Sequence, residues 1–410
     1  MTTAVEITAS RPRTSDARVI GLVSAAHCVS HLYMLVLPPL FAFIRADYGL
    51  SYTQLAVVLA GFGIVSATLQ TPAGFLVDRF GAEKLLIGGL LLGTASLAAA
   101  ALVPSYWALV ICFGFSGLAN TVFHPADYTI LSHTVAGKRI GQAFSIHTFS
   151  GMLGSAMAPP LVLIAARFWG WHGSFLVAAA IGLSVALVLL TQRHALAVTP
   201  KPAHAGREPL GGSAGWQLLL SPAILRNLAF FTLLALAGSA ISNFSIVALV
   251  ALYDTPLWVA NAALSGFLFL SALGVLLGGV IADRTRHHTR VAAAGFALSA
   301  CVILAVGTID LGSILLIALM SVGGFLSGII QPSRDMIVRA VTPAGSFGKV
   351  FGFVSTGFNV GGVVGPLCYG WLMDRGEPRA IFLAVVAITL VSLLTVSTTR
   401  LPAPKVAAAD

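Results

Sequence analysis

Gly74-Phe75-Leu76-Val77-Asp78-Arg79 recurs as Gly279-Val280-Ile281-Ala282-Asp283-Arg284, 205 residues further along the chain. The echo is not isolated. Pro125 answers to Pro332, Gly141-Gln142-Ala143-Phe144 to Gly348-Lys349-Val350-Phe351, Pro159 to Pro366 and Phe175 to Phe382, each at an offset of 207. A near-constant offset held at so many places reads as one unit duplicated and fused. The chain is therefore expected to consist of two structurally equivalent halves.

Composition says what each half is made of. Only 9% of the 410 residues are charged while 57% are hydrophobic, against roughly 25% charged in an ordinary soluble domain. So few charges cannot cover a water-facing surface, and lipid is the expected solvent. A bilayer core about 30 Å thick takes about 20 apolar residues per helix, and no backbone amide can stay unpaired within it. Runs free of Asp, Glu, Lys and Arg lie at 19–44, 48–77, 85–126, 140–166, 168–192, 227–253, 255–282, 291–309, 311–333, 350–373 and 380–399. The run 85–126 is too long for one span and should divide at Pro104-Ser105, where proline stops one helix and serine caps the next. The expected fold is an all-α integral membrane protein with twelve transmembrane helices in two pseudo-symmetric six-helix halves.

The expected organisation is a tail 1–18, a first half 19–192, a linker 193–223, a second half 224–399 and a tail 400–410. The interval from 191 to 227 holds four prolines together with His194, Lys201, His204 and Arg207, a composition suited to a flexible connector. Val19 to Ile44 is 26 residues long, beyond the roughly 7–15 of a signal-peptide core, so it reads as a retained first span. With the N-terminus inside, 17 Lys and Arg residues fall in cytoplasmic segments, and only Arg45, Arg167, Arg375 and Arg379 face the opposite side. The positive-inside rule then puts both termini and the linker in the cytoplasm, with the chain in the cell membrane.

The net charge of +9 is scattered between apolar runs and forms no basic cluster interleaved with aromatics, so no nucleic-acid partner is expected. Cys28, Cys112, Cys301 and Cys368 sit in apolar runs without redox or metal spacing. The absence of His-Glu-x-x-His and of a P-loop argues against an enzyme and against ATP-driven pumping. No cofactor is expected, and one chain with its own path between two halves is expected to work as a monomer.

Carried by these residues, the chain resembles the major facilitator superfamily over essentially its whole length. Gly74-Phe-Leu-Val-Asp78-Arg79-Phe-Gly81-Ala-Glu-Lys84 is similar to that superfamily's loop between spans 2 and 3. The second copy keeps Asp283-Arg284 and has Arg286 where a glycine would stand. Gly151, Gly154 and Pro159 in span 5 resemble the glycine-proline motif associated with antiporters, and Gly357, Gly361, Gly362, Gly365 and Pro366 give a fuller version in span 11. Within the superfamily, Ser30-His31-Leu32 leading to Pro38-Pro39-Leu40 resembles the fosmidomycin-resistance group, as does Val122-Phe123-His124-Pro125 followed by Asp127. That group's acid a few positions past the first-span histidine is replaced here by Tyr33, Met34 and Leu35. The resemblance implies alternating-access transport in which a small anionic solute leaves in exchange for protons. Proton-coupled uptake of a small organic acid would use the same residue types; a channel or a membrane enzyme is a more distant reading.

Ionisable groups inside a membrane are costly and mark function by default. His27 and His31 lie four apart on one face of span 1, with His31 about 20 Å in, near the midplane. Imidazole changes charge near physiological pH and suits proton relay. Asp127 is the one acid well inside span 4, with His124 three residues before it. A carboxylate drawn out of water can load and release a proton at useful pH. Proton coupling is therefore assigned to Asp127, His31, His27 and His124, while His147 stays ambiguous. The His27–His31 pair is not expected to bind metal, having no carboxylate or cysteine close in sequence.

Arg334 holds the repeat position of Asp127 and needs either a carboxylate or an anionic substrate. Substrate contact is assigned to Arg334, His31, Tyr33, Asn120, Gln331 and Asn359. Gating is assigned to Asp78, Arg79, Asp283 and Arg284, and to an Asp127–Arg334 pair formed when the cytoplasmic side is closed.

Overall fold

The computed structural model describes residues 15–136, 139–198, 217–285, 287–342 and 347–397. The expected tails and the middle of the expected linker, including Lys201, His204 and Arg207, lie outside the described residues. Ten helical stretches are long and apolar enough to cross a bilayer. One of them, Ile140–Thr191, runs for 52 residues, about 78 Å of helix, which no bilayer accommodates in one pass. It turns at Gly170, whose φ of 68° is left-handed backbone that glycine adopts without a Cβ clash. Its two arms lie side by side, with the Ser174 hydroxyl donating to the Val162 carbonyl at 2.7 Å. With the 28-residue helix Phe347–Asp374 added, the crossings number twelve, as the sequence implies.

Spans 1 to 6 are Asp16–Tyr48, Tyr52–Phe80, Ala82–Leu102, Tyr106–Thr134 and the two arms of Ile140–Thr191. Spans 7 to 12 are Pro222–Tyr253, Leu257–Arg284, His288–Thr308, Gly312–Val341, Phe347–Asp374 and Pro378–Ser397. The break expected at Pro104-Ser105 falls between Leu102 and Tyr106, with Ser105 as N-cap.

Two further breaks were not read from the sequence, and proline makes both. Its ring collides with the carbonyl four residues back, and it donates no hydrogen bond there. Four residues before Pro38 is Met34, where the first helix of span 1 ends before a short 3₁₀ turn, Pro38–Leu40. Four residues before Pro125 is Thr121, and span 4 is interrupted between Asn120 and Phe123. The second break re-aims the turn carrying His124 and Asp127.

The two halves meet tightly at the end opposite Ser15 and Ser397, the first and last described residues. There Phe41 packs edge-on against Phe244 at 5.5 Å, and Asn261 of span 8 donates to the Pro159 carbonyl of span 5 at 3.0 Å. The Asp374 carboxylate of span 11 accepts the backbone N–H groups that open span 2. At the other end Asp78, Arg79, Asp283 and Arg284 are exposed. Among the described residues no ion pair or hydrogen bond joins the halves there, so the space between them opens toward the end that carries Ser15 and Ser397.

Candidate functional site

Span 5 passes unusually close to span 1 because Gly151 and Gly154 carry no side chain. A Cβ on Gly151 would sit 2.8 Å from the His27 ring, and one on Gly154 would strike the Cys28 carbonyl. The glycine motif thus lets span 5 lay His147 against the span 1 histidines.

The result is a cluster that only the fold assembles. Asp127 is fully buried. His147 donates from Nε2 to its Oδ2 at 3.0 Å, and His27 Nδ1 approaches the same oxygen at 3.1 Å. The His27 and His147 rings stack with centroids 3.7 Å apart, while His31 and His124 lie 4.7 and 5.1 Å from His27. His31 is braced by a 3.2 Å contact from Nδ1 to the Ser155 hydroxyl. All four residues assigned to proton coupling converge here, joined by His147, which sequence reading left ambiguous. The repeat of glycines at 151 and 154 was the available signal, since it marks where span 5 must touch span 1.

Two connected chambers lie between the halves. One, about 650 Å³, has His27, His147 and Tyr128 on the first half and Arg334, Phe296 and Phe358 on the second. The other, about 1010 Å³, is lined by amides and hydroxyls that include Gln70, Asn120, Asn243 and Asn359. His31, His124 and Gln331 border both. Arg334 lies against the adjoining rings of Phe231 and Phe358, whose centroids are 4.8 and 5.3 Å from its guanidinium carbon. Its Nε and one terminal nitrogen both reach a single oxygen of Asp335, at 2.8 Å. In this state Asp127 and Arg334 do not pair: the acid holds imidazoles and the arginine holds its own neighbour.

Tyr33 departs from its expected place. It is buried inside the first half, with its hydroxyl 2.9 Å from that of Thr94, and it lines neither chamber. At two residues past His31 it lies about 200° around the helix, on the opposite face. Asn120 does line the polar chamber, and its amide donates to the Ser66 hydroxyl at 3.0 Å.

A duplicated six-span bundle, closed at one end around a polar cavity between its halves, is the architecture of a membrane transporter and not of an enzyme. The chain belongs to the Major Facilitator Superfamily, whose profile matches residues 23–257 and 258–409. It is 23% identical over 400 residues to the uncharacterized MFS-type transporter YfnC of Bacillus subtilis strain 168, covering 95% of this chain and 94% of that one. It is 25% identical over 283 residues to the fosmidomycin resistance protein of Escherichia coli K12, covering 67% of each. In three dimensions it is similar to the nucleoside transporter NupG, with TM-score 0.75 and 16% identity over 94% of this chain and 99% of that one. It is also similar to a bacterial homologue of the lysosomal transporter Spinster in an inward-facing, occupied conformation. That match has TM-score 0.77 and 13% identity over 95% of this chain and 97% of the other.

Proposed function

We propose that this transporter is a secondary carrier that expels a small organic anion in exchange for protons, with both termini cytoplasmic. The observation that carries the reading is the placement of Arg334 in the wall of the 650 Å³ chamber, across from the histidines around Asp127. A guanidinium held by Asp335 and packed against two rings keeps its remaining N–H donors available for a carboxylate, phosphonate or sulfonate. Asp127 has only imidazoles as ion-pair partners among the described residues. A lone buried carboxylate costs several kcal/mol unless it is neutralised. A proton arriving at this group supplies that neutralisation and is the coupling ion of the proposal.

Efflux rests on the likeness to the fosmidomycin resistance protein. The second reading, proton-coupled uptake of an organic acid, uses the same groups with the gradient reversed. The deciding experiment is a screen of radiolabelled organic anions in proteoliposomes under imposed pH gradients of both signs. Accumulation driven by a gradient of one sign sets the direction. Transport of neutral or cationic solutes, with anions ignored, removes Arg334 from the substrate path and the proposal with it.

A further inference from the structure

We propose that His27, Asp127 and His147 form a binding site for a divalent first-row transition metal, with zinc as the reference ion, in the wall of the cavity. One donor atom from each lies within 4.8 Å of the others, on three different spans. Two neutral imidazoles and one carboxylate form the donor set that zinc, cobalt and nickel prefer, whereas magnesium and calcium favour oxygen alone.

The distances fit an ion as well as a hydrogen-bonded trio. Asp127 Oδ2 is 3.0 Å from His147 Nε2 and 3.1 Å from His27 Nδ1. Zinc bonds of about 2.0–2.2 Å put neighbouring ligand atoms of a tetrahedron about 3.3–3.6 Å apart, so each of these two contacts needs to open by only about 0.6 Å or less. The direction of His27 is more telling than its distance. Its Nδ1 is near the carboxylate but out of line for a hydrogen bond, and Asp127 Oδ1 has no partner among the described residues. Ligands of one metal point at a shared centre and not at each other. The short, misaligned His27–Asp127 contact therefore suits an ion, while the His147–Asp127 contact is also aligned as a hydrogen bond.

Access and charge agree. His27 and His147 border the 650 Å³ chamber, so an ion can enter from the open side and keep a fourth coordination position toward the cavity. Asp127, buried without a cationic side chain, gains the opposite charge it lacks. His31 and His124 form a second trio with His27 within 4.8 Å, but one that lacks a carboxylate.

The test uses tag-free, full-length protein in detergent, titrated with zinc chloride by calorimetry and with cobalt chloride by visible absorption. The expected result is one ion per chain at about micromolar affinity and the intense absorption of four-coordinate cobalt. Asp127→Asn and His147→Gln should each weaken binding by more than roughly 100-fold, beyond what a change outside the coordination sphere costs. The double variant His287→Gln, His288→Gln, at the start of span 9, should bind as the parent does. Absence of saturable binding overturns the site, as does a six-coordinate cobalt spectrum or an affinity unchanged by both cluster variants. Should either cluster variant not give monodisperse protein, the cobalt spectrum of the unaltered protein decides. None of these readouts depends on which solute is carried, or on whether a proton drives it.

Discussion

Asp374, the last residue of span 11, caps a helix in the other half of the molecule: its Oδ2 accepts the backbone N–H of Thr53 at 2.8 Å. Its Oδ1 takes the N–H of Tyr52 at 2.7 Å. A carboxylate on the first turn of a helix satisfies donors that have no partner within that helix and meets the positive end of its dipole. The contact holds the halves together where they are closed and must break when the cavity opens on that side. Asp374→Ala should therefore favour the oppositely open state by about 1 kcal/mol, roughly a fivefold change in population. Spin labels at Ala46→Cys and Glu377→Cys should report a longer distance; an unchanged distribution would show that the cap is incidental.

Asp127→Asn keeps the size of the group and one acceptor oxygen and removes its charge. Uphill transport should be abolished while downhill exchange of the same solute persists, as expected when only the coupling ion is lost. Counterflow and gradient-driven uptake measured on one proteoliposome preparation separate the two. Concentration of the solute by the Asn variant would move the coupling site elsewhere.

Arg334→Ala should weaken apparent solute affinity by about 10- to 100-fold, the worth of one or two charge-assisted hydrogen bonds. Arg334→Lys should recover only part of this, because an ammonium lacks the planar, multi-donor fork that packs against Phe231 and Phe358. Phe358→Ala, which leaves the charge and removes one of the two rings beside the guanidinium, should cost less than Arg334→Ala. Equal affinities across the three variants would place the solute away from this wall.

Asp127 and Arg334 occupy equivalent positions in the two repeats and stay apart while the cavity is open toward the end that carries Ser15 and Ser397. Their pairing is expected in the opposite state. Each alanine substitution should impair transport strongly, and the exchange Asp127→Arg with Arg334→Asp should restore assembly in part. Strictly additive losses in the double alanine variant would mean that no coupling energy links them.

Orientation is testable from outside the cell. After the native cysteines are replaced, Ser213→Cys and Glu377→Cys should be labelled from opposite faces by a membrane-impermeant maleimide. Labelling of both from outside would overturn a topology drawn from the 17-to-4 distribution of basic residues.

Much of this architecture was legible in the chain because lipid leaves so few options. Each span must satisfy its own backbone, so length, apolar composition and proline placement suffice to count helices and to see the duplication at an offset of 207. The break at Pro125 was readable in principle, since the carbonyl that it displaces is always four residues back. His27, His31, His124 and Asp127 stood out as polar groups in apolar runs, where their cost demands a reason.

Their arrangement was not legible. Helical spacing says which residues share a face, but not which neighbouring span that face meets. His147 joined the cluster because Gly151 and Gly154 let span 5 press against span 1. Tyr33 left the expected cavity because two helical residues beyond His31 the side chain points back into its own half. Arg334 took Asp335 and two phenylalanines, and not Asp127, because the halves are parted on that side. Sequence alone determined the twelve spans, the two repeats and the short roster of buried charges, all set by local composition against a fixed bilayer thickness. Tertiary structure decided which of those charges meet, because contacts between spans depend on helix approach and on which end of the cavity is closed.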